Sequence, residues 1–341
     1  MKHVDEDPRP TWPRMLDGEC IHLDTLRLSG FIPGLTDVDT LARLTDVSEL
    51  KSLSILDASS IPELLGLVNL RSLQIALNEA WLGHQNILDP LTAFLHQSVL
   101  LEELDMTGAT SIVDNELLEH LGKSLRVLRL HEYESRVGLQ CRQVLSRDQL
   151  QLLGTQCPKL EELGLDFGYQ GEWPYPAFEQ ISQSCWFLVK LQLYLEIGIA
   201  DPEHPLQPAA TYTTVSHIWD FIWSTMRRTR ETHHHVLSQP RLRELQVNAG
   251  SFRPDSGQTD WEQTQQQKFR VTACVGEQSC GSPKVISLGA EAKQRGKDYA
   301  NEYGDPRTAA QRAIHGPSNY PEPDYFGLAM RVAQSLPFPE D

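Results

Sequence analysis

The chain has 341 residues, 40% of them apolar and 22% charged, which is the composition of an ordinary folded protein and excludes a low-complexity or fibrous one. Its formal charge of −16 argues against a binder of nucleic acid or anionic membrane, since both need a basic surface. Arg227, Arg228 and Arg230 form the only tight basic cluster.

Residues 1–19 read as an acidic, proline-containing extension. Met1-Lys2-His3-Val4-Asp5-Glu6-Asp7-Pro8 leads into no apolar signal segment, and no run in the chain approaches the roughly 20 apolar residues of a membrane span, so an intracellular location is expected. From there a leucine frame, L-x-x-L-x-L, recurs eight times. It is carried first by Leu23, Leu26 and Leu28, then by Leu50, Leu53 and Ile55, by Leu70, Leu73 and Ile75, and by Leu101, Leu104 and Met106. It returns at Leu125, Leu128 and Leu130, at Leu160, Leu163 and Leu165, at Leu188, Leu191 and Leu193, and at Leu242, Leu245 and Val247. The frame starts are separated by 27, 20, 31, 24, 35, 28 and 54 residues, so several units are stretched beyond the usual repeat of ~20–29 residues. The extra residues should form longer loops or helices on the outer faces.

Helix signals stand between the frames. Thr36-Asp37-Val38-Asp39 precedes Leu41, Ala42 and Leu44, and Asp114 precedes Leu117, Leu118 and Leu121. Ser146-Arg147-Asp148-Gln149 is a capping box ahead of Leu150, Leu152 and Leu153, where Ser and Gln side chains satisfy each other's orphan amides. Phe178 and Ile181 continue the pattern before Cys185. From Thr213 to Arg230, Val215, Ile218, Trp219, Ile222 and Met226 follow helical spacing and predict the most apolar helix, packed on the core. Pro202, Pro205 and Pro208 place an exposed loop before it.

After Val247 the character changes. Residues 250–267 are polar, Phe269 to Val275 alternates like a strand, and Val285 to Leu288 offers a second. Glu291 to Tyr303 and Arg307 to Ile314 look like short helices. This tail, 250–341, either caps the end of the array, which every repeat array must protect, or is partly disordered.

One such unit cannot bury its own apolar face, so neighbours must stack to complete a core. The expected fold is α/β: a leucine-rich-repeat solenoid over residues 20–249, a horseshoe with a parallel concave β-sheet and convex helices. Strand alternation lists its concave face, because neighbours of buried leucines point outward. Between the second and third anchors stand Arg27, Ser54, Gln74, Asp105, Arg129, Gly164, Gln192 and Gln246; just after the third stand Ser29, Leu56, Ala76, Thr107, His131, Asp166, Tyr194 and Asn248. Arg27, Gln74, Asp105, Arg129, His131, Asp166, Gln192, Tyr194 and Gln246 are the candidate partner-binding residues. Arg129, His131 and Tyr194 are the candidate anchors, since aromatics and arginine dominate binding hot spots.

Signals for chemistry are weak. Cys20, Cys157 and Cys185 each lie three residues before a frame, which suggests small buried thiols in a reducing compartment. With no C-x-x-C pair a metal site is a poor alternative. His233-His234-His235 reads as a solvated loop before a zinc site, which needs ligands that converge with defined geometry. Phosphate-loop, dinucleotide and nucleophile-elbow motifs are missing. Glu102-Glu103 and Glu161-Glu162 sit inside frames, where alternation sends one of each pair to the concave face and the other towards the turn. No catalytic residue, metal or cofactor is expected.

Leu145 to Leu165, with Cys157-Pro158 ahead of its frame, closely resembles the cysteine-containing repeat of F-box/leucine-rich-repeat proteins. Phe178 to Leu193 is similar, and Asp114 to Leu130 has the layout with Lys123-Ser124 where Cys-Pro would stand. The resemblance implies a non-catalytic recognition protein that holds a protein partner on the concave sheet, with cullin ubiquitin-ligase components as further partners where an F-box is present. An F-box would be a leucine-proline-led helical segment; only about 20 residues precede Leu23, too few for such a module. The alternatives are a GTPase-activating protein built on the same repeats, which the uneven repeat lengths count against, and a structural scaffold without a ligase link.

Overall fold

The computed structural model describes residues 23–29, 47–58, 67–77, 85–108, 110–134, 142–168, 172–196, 210–232, 240–250, 267–273 and 284–287. Within them each frame becomes a strand: β1 (Thr25–Ser29), β2 (Ser52–Ala58), β3 (Ser72–Leu77), β4 (Glu103–Thr107), β5 (Val127–His131), β6 (Glu162–Phe167), β7 (Lys190–Leu195) and β8 (Glu244–Ala249). These eight pair in parallel, in chain order. The fold is α/β, and the described residues place five α-helices against an open, mostly parallel sheet of ten strands.

The anchors fix the register. Leu26, Leu53, Leu73, Leu104, Leu128, Leu163, Leu191 and Leu245 are direct neighbours along one line of the ladder. A slip of one residue would turn every anchor to the other face, so burial of this line holds the whole sheet in place. From Leu53 onward these residues are at most 1% exposed. Each such leucine contributes roughly 1.5–3 kcal/mol through the apolar surface it removes from water.

The helices complete the same core. They are α1 (Gln85–Gln97), α2 (Asn115–Leu121), α3 (Arg147–Gln156), α4 (Tyr175–Ser184) and α5 (Tyr212–Thr232). Leu91 and Leu95 of α1, Leu117 and Leu121 of α2, Leu150 and Leu153 of α3, Phe178 and Ile181 of α4, and Val215, Ile218, Ile222 and Met226 of α5 bury into one cluster with the strand anchors. The Asp114 side chain accepts from the Leu117 amide at the start of α2, and Ser146 and Gln149 form the full capping box of α3. Helix α1 carries no such cap signal and holds Pro90, which breaks the usual reading of a helix interior; its apolar spacing of Leu88, Leu91 and Leu95 nonetheless packs on the core. Helices α3 and α4 approach so closely that a Cβ at Gly154 would stand 2.3 Å from the Ser184 backbone oxygen. Cys157 and Cys185 end α3 and α4 as free, buried thiols, and burial pushes Cys157 up to about 12 and Cys185 in the same direction.

Two strands from the tail extend the sheet. β9 (Gln267–Thr272) pairs antiparallel with β8, and β10 (Lys284–Ser287) antiparallel with β9. They cover the edge that β8 would otherwise expose to pairing by another chain. Phe269 and Val271 enter the core. The expected helices at 36–44, 291–303 and 307–314, the histidine run 233–235 and Cys20 lie outside the described residues.

Candidate functional site

The sheet face opposite the anchors is lined by two rows of side chains. Along the first, Arg27, Ser54, Gln74, Asp105, Arg129, Gly164, Gln192 and Gln246 are successive register partners, and Arg270 of β9 continues it. Along the second, Thr107 neighbours His131, and Tyr194 stands between Asp166 and Asn248. All nine expected binding residues therefore lie on one face. Their surroundings differ. Arg27 is exposed, Gln74, Asp105, Arg129 and Tyr194 are half-buried, and His131, Asp166, Gln192 and Gln246 are buried.

Arg129 is the hub of the first row. It donates from Nη1 to Asp105 at 3.2 Å and from Nη2 to Glu162 at 2.6 Å, spanning β4 to β6. Gly164 makes room for this reach, because a Cβ there would lie 3.3 Å from Arg129 Cγ. Burial raises the pKa of Asp105 even though Arg129 pulls it down. Next along the face, Lys190 stands 3.8 Å from both Glu162 and Glu244, and Arg270 stands 3.6 Å from Glu244.

The second row centres on a gap in the sheet. β5 and β6 pair at three positions, the last being Arg129 and Gly164, whereas β6 and β7 pair at six. Where β5 parts from β6, the Asp166 carboxylate takes the Glu132 amide at 2.5 Å, and His131 Nδ1 lies 2.8 Å from the same carboxylate. Arg142 returns into this gap and donates to Asp166 at 3.0 Å, with Glu134 at 3.6 Å and Glu196 at 3.5 Å. The Arg142 and Asp166 side chains are 3% and 2% exposed, so these charges are compensated by one another rather than by water. One guanidinium faces three carboxylates. Burial raises the pKa of Glu196 against the pull of Arg142, and nearby Glu134 and Asp166 push the same way.

Tyr194 closes the cluster towards solvent. Its ring stacks on His131 at 4.1 Å between centroids, and its hydroxyl donates to Gln192 at 3.0 Å. Burial, with Asp105 and Asp166 nearby, raises its pKa and keeps the phenol neutral. On the other side of Asp166 a cleft of about 230 Å³ opens among Thr110, Asp114, Gln143 and Gln149.

Sequence reasoning located His131, Asp166 and Tyr194 but not Glu134, Arg142 and Glu196, which lie outside the frames. The available signal was the 35-residue interval from Leu125 to Leu160, the stretch that carries Glu134 and Arg142. The two adjacent acid pairs divide as alternation requires: Glu103 and Glu162 lie in strands of this face, while Glu102 and Glu161 pair with Arg71 and Arg126 where the strands begin. Among the described residues there is no group of three or more metal-capable side chains, and no helix is long and apolar enough to cross a membrane. No family model and no curated protein matches the chain.

Proposed function

We propose that this is a leucine-rich-repeat solenoid of the F-box/leucine-rich-repeat type, and that it is a non-catalytic recognition module. It holds a protein partner on the polar face of its sheet. The observation that carries this reading is the continuous row of register partners from Arg27 to Gln246, one residue from each successive frame and all but Gly164 with a polar or charged side chain. A curved sheet of this kind is the usual contact surface of a repeat array. Arg129 and Tyr194 are the expected anchors, being half-buried, held in place by neighbours and of the residue types that dominate hot spots. Carboxylates outnumber cations around them, with Asp105, Glu162, Glu134, Asp166 and Glu196 set against Arg129, Arg142 and Lys190. A partner segment with basic side chains therefore fits this face best.

The test is site-specific photocrosslinking in the cells that make the protein. A benzophenone side chain is placed at Gln74 or Asn248 on this face and at Glu179 on α4. A protein crosslinked from the first two positions but not from Glu179, and lost in the Arg129→Ala/Tyr194→Ala double variant with an intact circular-dichroism spectrum, is the expected result. Crosslinking that is equal at all three positions, or indifferent to the double variant, overturns it. Cullin-ligase subunits among the crosslinked proteins would connect this face to ubiquitin transfer.

A further inference from the structure

A different surface stands out at the leading edge of the sheet, where each strand begins. One backbone carbonyl per unit accepts two successive amides from the next unit: Asp24 from Lys51 and Ser52, Lys51 from Arg71 and Ser72, and so on through Arg71, Glu102, Arg126 and Glu161. The side chains on these residues form a charged row. In the first six units the row neutralises itself, through Lys51–Asp24 at 2.7 Å, Arg71–Glu102 at 2.6 Å and Arg126–Glu161 at 2.8 Å. Then the pattern stops. The next position is Val189, whose carbonyl accepts from Arg243 and Glu244, so the Arg243 side chain has no carboxylate beside it in the row.

The positions around it are also cationic. Exposed Lys159 and Arg241 line a groove of about 360 Å³ with Arg126 and Phe187, and Glu161 is its single acid. Among the described residues Lys159, Arg241 and Arg243 make no ion pair. Behind the groove Arg230 of α5 stacks over Trp186 at 5.2 Å. Burial and the nearby Arg241 both lower the Arg230 pKa, which is what two crowded cations produce. Arg230 thus lies near Arg241, while Arg227 at the same end of α5 is paired with Glu231 at 3.0 Å.

We infer that this groove, lined by Arg126, Lys159, Phe187 and Arg241 and adjoined by exposed Arg243 of the same edge row, is a docking site for an acidic peptide segment of a partner protein. The cations supply the charge that the row itself lacks, and the Phe187 ring gives an apolar side chain of that segment a place to lie. The groove has side-chain dimensions, which suits a peptide better than a nucleic-acid duplex or a lipid surface. It is separate from the polar face described above.

The experiment uses the full chain and a fluorescent synthetic peptide of Asp and Glu with one central Phe, read by anisotropy. A control peptide carries Asn and Gln in place of the acids. The acidic peptide should bind and the control should not. Reversing Lys159, Arg241 and Arg243 to Glu, all exposed positions, should weaken binding by about tenfold or more and flatten its salt dependence. Glu161→Gln should act in the opposite direction and tighten binding several-fold, because it removes the one acid of the groove and frees Arg126; a misfolded variant would not do this. Arg129→Ala/Tyr194→Ala should leave peptide binding unchanged, which separates this site from the polar face. Absence of binding, insensitivity to the charge reversal, or weaker binding by Glu161→Gln overturns the inference. Equal binding of a single-stranded oligonucleotide with the same dependence on these residues overturns its assignment to a protein segment.

Discussion

The gap between β5 and β6 and the leading edge of the same strands both concentrate charge, and they hold it in different ways. In the gap, Arg142 is buried with Asp166 and Glu134, whose side chains are 2% and 7% exposed, and stands beside Glu196, which keeps 17% exposure. At the leading edge the pairs sit in solvent: Arg71 and Glu102 retain 58% and 31% side-chain exposure. The same Coulomb attraction therefore has two roles. In the gap it is what makes burial of charge tolerable at all. At the edge it adds little, because water and salt already screen each charge. Charges that do not find a partner have to stay outside, and Lys159, Arg241 and Arg243 do.

The strongest break in this comparison is Arg142→Ala. It leaves the buried carboxylates of Asp166 and Glu134 and the part-buried one of Glu196 facing each other without their cation and should cost about 3–5 kcal/mol, measured as a shift of the urea midpoint. A cost below about 1 kcal/mol would mean that water enters the gap and that the cluster behaves like a surface pair.

Asp105→Asn sharpens it next. Asp105 has a folded pKa raised above its ordinary value of 3.8, chiefly by burial. An acid that binds its proton more tightly when folded contributes most to stability below its unfolded pKa, and that contribution is lost as pH rises through the folded pKa. The Asn variant has no such loss. Its stability relative to the parent should therefore rise as pH increases from about 3 towards 7. A difference that stays flat, or that falls with pH, would mean that the pull of Arg129 outweighs desolvation at Asp105.

The smallest effect belongs to the edge. Arg71→Ala removes an exposed pair and should change stability by no more than about 0–1 kcal/mol, with the difference vanishing in high salt. A larger, salt-independent loss would show that the edge row is structural, and the contrast with the gap would collapse.

Much of the fold was legible in the chain. The frame appears in the sequence because the sheet needs one line of leucines on its buried face, and strand alternation then assigns Arg129, Gln192 and Tyr194 to the opposite face without further information. The α3 capping box was equally readable, since Ser146 and Gln149 act within one helical turn. Helix α1 was not among the helices expected from the sequence; Pro90 argues locally against a helix, and its packing on the core is a tertiary effect. Sequence reading also treated the face as a row of independent side chains. In the structure His131, Asp166, Gln192 and Gln246 are buried, and His131 and Asp166 are held by residues that no frame contains.

Local periodicity, then, determined the strands, their buried faces, their register and most of the helices, because those depend on residues within one unit and on a rule that repeats. Tertiary structure alone decided which charges meet. Arg142 reaches Asp166 because β5 and β6 part after three paired positions. Electrostatic energy depends on distance in space and on access to water, and neither is set by position within a repeat.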